Sequence, residues 1–453
     1  MLTRLLSFFL ITCFALPCFA QSSTINTHKY QLDNGLTLIV RPDHRAPIAT
    51  MQVWYKVGST YETNGRTGLS HFLEHMMFKG TKHNPGSTFT DTIYALGGHL
   101  NAFAYYDYTG YLQTLPAQYL EAVFVLEADR MQHLIVDDEA IFEKEKQVIL
   151  EERRMRVDDQ PIVLTYERFL ATAFDSSPYR VLPIGWHADV AATTLDDVKN
   201  WYDAWYGPNN AIVVVIGDVN PEKVYGLAQE YFGDIKEKTL PVLKPQPEVK
   251  PLGQKRITVN VPATLPYLIM GFHAPVLNST QELWEPAALT LLSSILDGGQ
   301  SARFSKELIR NQRIASVAST NYDPFLRDAN LFTLSAVPAS GIGIYQLEAA
   351  LLEQIALLKQ NLVSEQELNR ARKQIMATEI YKLDSIEAQA DEIGSLESVG
   401  LPWDMGNEFL QELLIITPEQ IQLVAQKYLI PEYMTVAILK PQSIQGEVDA
   451  AQE

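Results

Sequence analysis

Two stretches of the chain share one pattern of short apolar runs set between turn residues. In the first, Asn34-Gly35 forms a tight-turn pair ahead of Leu36–Val40, and Ala49–Tyr55 follows as a second strand-like run. The stretch closes with Tyr206-Gly-Pro-Asn-Asn210 leading into the β-branched run Ala211–Ile216. The second stretch repeats the plan with Ile257–Val261 and Pro266–Phe272, and Tyr428–Tyr433 leads into a closing run, Met434–Leu439. Between these ends the apolar positions recur at helical spacing, as in Ala117–His133 and Leu347–Leu362. The pattern predicts an α+β protein of two homologous α/β repeats, each a mostly antiparallel sheet packed with helices.

Pro241, Pro245, Pro247 and Pro251 recur among lysines and glutamates, a composition that neither continues a helix nor joins a ladder. Residues 237–254 therefore read as an extended linker between an N-terminal domain, 28–236, and a C-terminal domain, 255–441, with a polar tail at 442–453. Residues 1–20 carry Arg4, an apolar run from Leu5 to Leu16 and a small-x-small ending at Ala20. This is the pattern of a secretory signal peptide, and the chain is expected to be exported, periplasmic or secreted. Cys13 and Cys18 both fall in that segment, so the mature chain relies on its cores rather than on disulfides. No later stretch approaches 18 uninterrupted apolar residues, which predicts no stable membrane insertion.

A length of 453 residues accommodates two to four domains, and 47% hydrophobic with 20% charged residues excludes a disordered chain. Subtracting 54 acidic from 36 basic residues leaves −18, which argues against a nucleic-acid partner, since phosphate backbones are held by excess cations.

The chemistry concentrates in His71-Phe-Leu-Glu-His75. Residues four apart on a helix lie about 40° apart around its axis, so His71 and His75 face one way and can share a metal ion. Glu74 then sits beside the ion as a general base that does not ligate it. Leu69, Phe72, Leu73 and Met76 form an apolar stripe next to that face. A catalytic zinc needs a third protein ligand and an open position. Asp137–Asp158 reads as a helix in which Ile141, Glu145, Val148 and Glu152 share one stripe, expected to face the interior. Buried carboxylates call for a cation, and spacing alone leaves Glu145 and Glu152 both open as the ligand. Glu151, turned about 100° away, is expected to be solvated near Arg153, Arg154 and Arg156. His99, His133 and His187 have no partner pattern near them in sequence and read as structural or surface residues.

These residues resemble the pitrilysin/insulinase metallopeptidase family, in particular the two-domain branch of the mitochondrial processing peptidase. The likeness runs from about Tyr30 to Lys440 through His71–Thr81, Gly97–Ala102, Glu145–Glu152 and Tyr206–Asn210. It implies a zinc endopeptidase with one Zn2+ per chain held by His71, His75 and Glu152, with Glu145 orienting the site. It further implies that Leu100–Phe103 is an edge strand to which a peptide adds, Asn101, Ala102 and Phe103 contacting it. Relatives carry an Arg and a Tyr in the metal-free half that reach the substrate. Arg303 matches the first, while the Tyr is replaced near Ala315–Val317, leaving Tyr322 as the nearest substitute. The implied partners are short or unfolded peptides and either a second copy or a zinc-free homologous chain. The competing expectation is a non-catalytic scaffold or assembly subunit related to the processing peptidases.

Overall fold

The computed structural model describes residues 26–443, so the signal segment, both cysteines and the tail from residue 444 lie outside the described residues. Six strands form the first sheet: β1 (His28–Gln31), β2 (Thr37–Pro42), β3 (Ile48–Tyr55), β4 (His99–Ala104), β5 (Thr109–Pro116) and β6 (Ala211–Gly217), in the order β1-β2-β6-β3-β5-β4. Five form the second: β7 (Lys255–Pro262), β8 (Tyr267–Ala274), β9 (Ala315–Asn321), β10 (Asn330–Pro338) and β11 (Thr435–Gln442), in the order β7-β11-β8-β10-β9.

Without β1, the two orders superimpose. In each, the first strand pairs in parallel with the last, β2 with β6 and β7 with β11, and every other pairing is antiparallel. The repeat read from the sequence is thus a repeat of topology. The closing strand runs through Gln442, one residue into the stretch expected to be tail. Residues 236–254 take no regular secondary structure. Yet they are pinned, because the Glu248 carboxylate accepts backbone N–H bonds from Asp175, Ser176 and Ser177 at 2.8–3.1 Å.

Helices α1 (Leu69–Met76), α2 (Thr88–Ala95), α3 (Leu120–His133) and α4 (Glu139–Arg153) belong to the first half. The apolar side chains of α1, α3 and α4 pack with β2, β3 and β6 in one core. The next helix does not stay at home. α5 (Pro161–Ala173) lies across β7, β8 and β11 of the second sheet, where Phe169, Leu170 and Ala173 bury against Ile269 and Ala437. In return, the second-half helix Ile386–Ser398 covers β3 and β6, with Ala390 and Ile393 against Trp54, Ile212 and Val214. A polar stitch joins the halves as well. Fully buried Asp107 accepts hydrogen bonds from Thr60 Oγ1 at 2.8 Å, from the Tyr179 hydroxyl at 2.5 Å and from the Arg327 backbone at 3.2 Å.

The exchanged helix meets the first sheet so closely at Gly394 that a Cβ there would stand 2.1 Å from the Trp54 ring. Gly394→Ala is expected to destabilise the protein by about 1–3 kcal/mol through overpacking, read as a fall in the denaturation midpoint. An unchanged midpoint would show that the contact yields at no cost.

Candidate metal centre

α1 is anchored at its start by a carboxylate that sequence spacing does not reveal. Glu62 accepts the Gly68 and Ser70 backbone N–H groups at 2.6 and 2.7 Å, satisfying donors that a helix start leaves free. Burial pushes the Glu62 carboxyl up to about 7 against those bonds. Leu69, Phe72, Leu73 and Met76 are buried, as the stripe predicts, which fixes the rotation of α1 and turns His71 and His75 toward α4. Phe72 stacks on Phe142 of α4 with ring centroids 5.0 Å apart, setting the distance between the two helices.

Across that gap Glu152 Oε2 lies 3.1 Å from His75 Nε2 and 3.6 Å from His71 Nε2. One donor atom from each of the three residues falls within 4.8 Å of the other two. Glu145 stands behind them: its Oε1 is 2.8 Å from His75 Nδ1, and its Oε2 is 2.7 Å from Lys79 Nζ. Arg156, from the π-helical turn Arg154–Asp158 that continues α4, holds the other oxygen of Glu152 at 3.0 Å. The His71, His75 and Glu152 side chains are only 12–19% exposed.

The charge balance follows from this packing. Burial and the neighbouring His75 charge lower His71 to about 4. Burial opposes the charge on His75 too, but hydrogen bonds to Glu145 and Glu152 and the charge of Glu74 outweigh it and raise the group to about 9. Glu74, half-buried beside the backbone N–H of Ala104 in β4, is pushed by burial up to about 7. Three carboxylates thus crowd one spot, answered by Lys79, Arg156 and a proton on His75. A divalent cation would place two charges there. Two imidazoles and a carboxylate are also a donor set that zinc accepts, so the residues present fit the ion.

Among the described residues, β4 is the outer strand of its sheet and pairs with β5 alone. Asn101 is exposed, and its Oδ1 accepts the Ala102 backbone N–H at 3.0 Å. Phe103, two residues further along an unbroken register, shares the face of Asn101 and lies edge-on to Trp54 at 5.2 Å. There it lines a cavity of about 510 Å³ shared with Ile375, Phe409 and Leu413 of the second half.

Four expectations need correction. Val148 is 45% exposed, and the buried row of α4 is Phe142, Glu145, Ile149 and Arg153, because Phe142 rather than Ile141 meets α1. Of the three arginines placed near Glu151, only Arg154 pairs with it, at 2.6 Å. Arg153 is buried against Glu167 at 2.9 Å, and Arg156 serves Glu152. Arg303 does not join the centre: its guanidinium grips Glu367 at 2.8 Å in a hollow lined wholly by second-half residues. The Tyr322 hydroxyl is committed to the Pro275 carbonyl at 2.5 Å, inside the second core. His133, which has no partner pattern in sequence, acquires one in space through Asp129 and His83. Lys79, Arg156 and Glu62 are the supporting residues that the sequence reading missed.

Two homologous sheet-and-helix halves, with a His-x-x-Glu-His helix in the first alone, define the class of the two-domain metallopeptidases. Residues 37–180 match the family described as "Insulinase (Peptidase family M16)", and 192–375 match "Peptidase M16 inactive domain". The chain is 30% identical over 429 residues to zinc protease PqqE of Helicobacter pylori, covering 93% of this chain and 94% of that protein. A solved structure of a protease from Helicobacter pylori superposes with a TM-score of 0.87 at 30% identity, covering 92% of this chain and 100% of that one. The chain belongs to the insulinase family, M16, of peptidases. A different kind of relative, cytochrome b-c1 complex subunit 1 of Rattus norvegicus, is 33% identical over 221 residues, 48% of this chain and 45% of that subunit.

Proposed function

We propose that this chain is a zinc-dependent endopeptidase of an exported compartment, cutting short or unfolded peptides. The observation that carries the reading is the convergence of His71, His75 and Glu152 while Glu74, beside the edge strand, stays outside the trio. His71 Nε2, His75 Nε2 and one oxygen of Glu152 would hold one zinc per chain. The ion would supply the positive charge that polarises a peptide carbonyl and acidifies a water. Glu74, on the helix that carries both imidazoles but outside the trio, accepts that water's proton and hands it to the departing amine nitrogen. The open edge of β4 aligns an extended peptide by main-chain hydrogen bonds, and Asn101 lies exposed on that strand to help hold it. A pairing of two copies, or of this chain with a zinc-free homologue, would enclose the peptide and shut out folded proteins.

Removing zinc with a chelator is expected to abolish cleavage of an unstructured peptide, and restoring zinc to recover it. Zinc-loaded protein that stays inert, alone and with any homologous partner, would end the reading. Glu145 enters through His75: Glu145→Gln weakens the bond that orients the ring and is expected to lower zinc affinity by about 10- to 100-fold, measured by competition with a chelating dye. Unchanged affinity would confine Glu145 to pairing with Lys79.

A second reading is a non-catalytic assembly subunit, favoured by the likeness to a cytochrome b-c1 subunit. A complete ligand set with Glu74 in place weighs against it, because a scaffold requires neither.

A further inference from the structure

A second cluster of imidazoles and carboxylate lies at the C-terminal end of α3, apart from the α1–α4 trio. Asp129 and His133 stand one turn apart on that helix, and the loop after α1 carries His83 over them. His83 Nδ1 is 2.6 Å from Asp129 Oδ1, and His133 Nδ1 is 3.0 Å from the same oxygen. The two rings meet edge-on with centroids 4.4 Å apart. The other carboxylate oxygen, Oδ2, accepts from Thr81 Oγ1 and, at 2.8 Å, from Asn84 Nδ2.

This division of labour matters. Thr81 and Asn84 fix the orientation of a nearly buried carboxylate, whose side chain is 9% exposed, through one oxygen. Its other oxygen is thereby aimed at two nitrogens. Such a carboxylate, held by hydrogen bonds from outside the ligand trio, is how metal ligands are usually oriented. The presenting loop is stiff as well. Gly80 (φ +101°) bridges to Pro85, and a Cβ at Gly80 would lie 2.3 Å from the Gly86 nitrogen. The Lys82 backbone N–H bonds the His133 carbonyl at 3.0 Å, and Thr81 bridges to Leu134. The loop is therefore clamped to the end of α3, and the positions of His83 and His133 are mutually fixed.

We propose that His83, His133 and Asp129 form a second, exchangeable binding site for a divalent transition-metal ion such as Zn2+. One donor atom from each of the three lies within 4.8 Å of the others, and ligand bonds of about 2.0–2.2 Å bring such atoms to roughly 3 Å from one another. The existing separations of 2.6 and 3.0 Å need only small ring rotations to admit the ion, with the remaining proton of each ring on Nε2. Two imidazoles favour zinc, copper or nickel over the hard oxygen-seeking cations. The His83 side chain, 64% exposed, leaves the ion open to solvent, so this site exchanges with free metal in a way that the enclosed trio of α1 and α4 does not. It also places a tie on the loop that begins just after Lys79, the partner of Glu145.

The test is metal stoichiometry on the full-length protein stripped of metal, titrated with Zn2+ by calorimetry and with Co2+ by visible absorption. Wild type is expected to take two equivalents. His83→Ala is expected to remove one in the wild-type background and one in a Glu152→Gln background. Because His83 is exposed, this substitution leaves the fold intact, checked by the thermal melt of the stripped proteins. His133→Ala is expected to remove the same equivalent. No loss on replacing His83 in either background would overturn the second site, and the cluster would be a hydrogen-bonded clasp. Loss with His83→Ala alongside no effect of Glu152→Gln would uphold this site and overturn the ligand assignment of the first, so the two readings fail separately.

Discussion

Glu74→Gln is expected to lower the turnover of an unstructured peptide by at least about a hundredfold while leaving zinc content at the wild-type level. The size follows from the part the carboxylate plays. A general base removed from a proton transfer costs two to four orders of magnitude, and glutamine matches glutamate in volume but cannot take up a proton. Zinc retention follows from geometry, since Glu74 is not among the three residues whose donor atoms converge. Equal activity in both proteins would remove Glu74 from the mechanism. Loss of zinc with activity would show that it ligates the ion.

The second large effect concerns adjacent residues. Glu152→Gln is expected to lose the α1–α4 zinc and with it all cleavage, whereas Glu151→Gln keeps both within about twofold. The neighbours differ because α4 turns Glu152 toward His71 and His75 and Glu151 toward solvent and Arg154. Replacing Glu152 with a neutral amide removes the negative charge that balances the ion, whereas replacing Glu151 breaks an exposed pair of the kind worth little. Zinc analysis and peptide cleavage on the two purified variants decide it, and the reverse outcome would mean that α4 is rotated by one residue.

Much of this was legible in the chain, for a physical reason in each case. β2 and β6 in the first half, and β7 and β11 in the second, carry β-branched runs, and Pro241–Pro251 could belong to neither sheet, whereas polar β1 gave no such signal. The rotation of α1 was readable because Leu69, Phe72, Leu73 and Met76 leave only one face for its histidines. α4 was harder. Ile141–Val148 and Phe142–Ile149 both recur at helical spacing and both include Glu145, so periodicity alone supports two rotations. The choice is made by Phe142 meeting Phe72, a contact 70 residues apart in sequence. Glu62, Lys79 and His83 act through partners that no local spacing announces. Asp129 and His133 stand one turn apart on a helix, a spacing too common to signal a site, and His83 joins them only from a distant loop. Nor does an amphipathic helix declare which sheet it covers, so the crossing of α5 and of Ile386–Ser398 emerges only from the fold.

That crossing changes what the proline-rich stretch separates. A single cut between 237 and 254 yields two pieces, each bearing the cover that the other requires, and neither is a protein in its own right. They are expected to stay associated after cleavage, whereas either piece made alone would leave an apolar sheet face uncovered. Carrying both on one polypeptide guarantees the one-to-one supply that such mutual dependence demands.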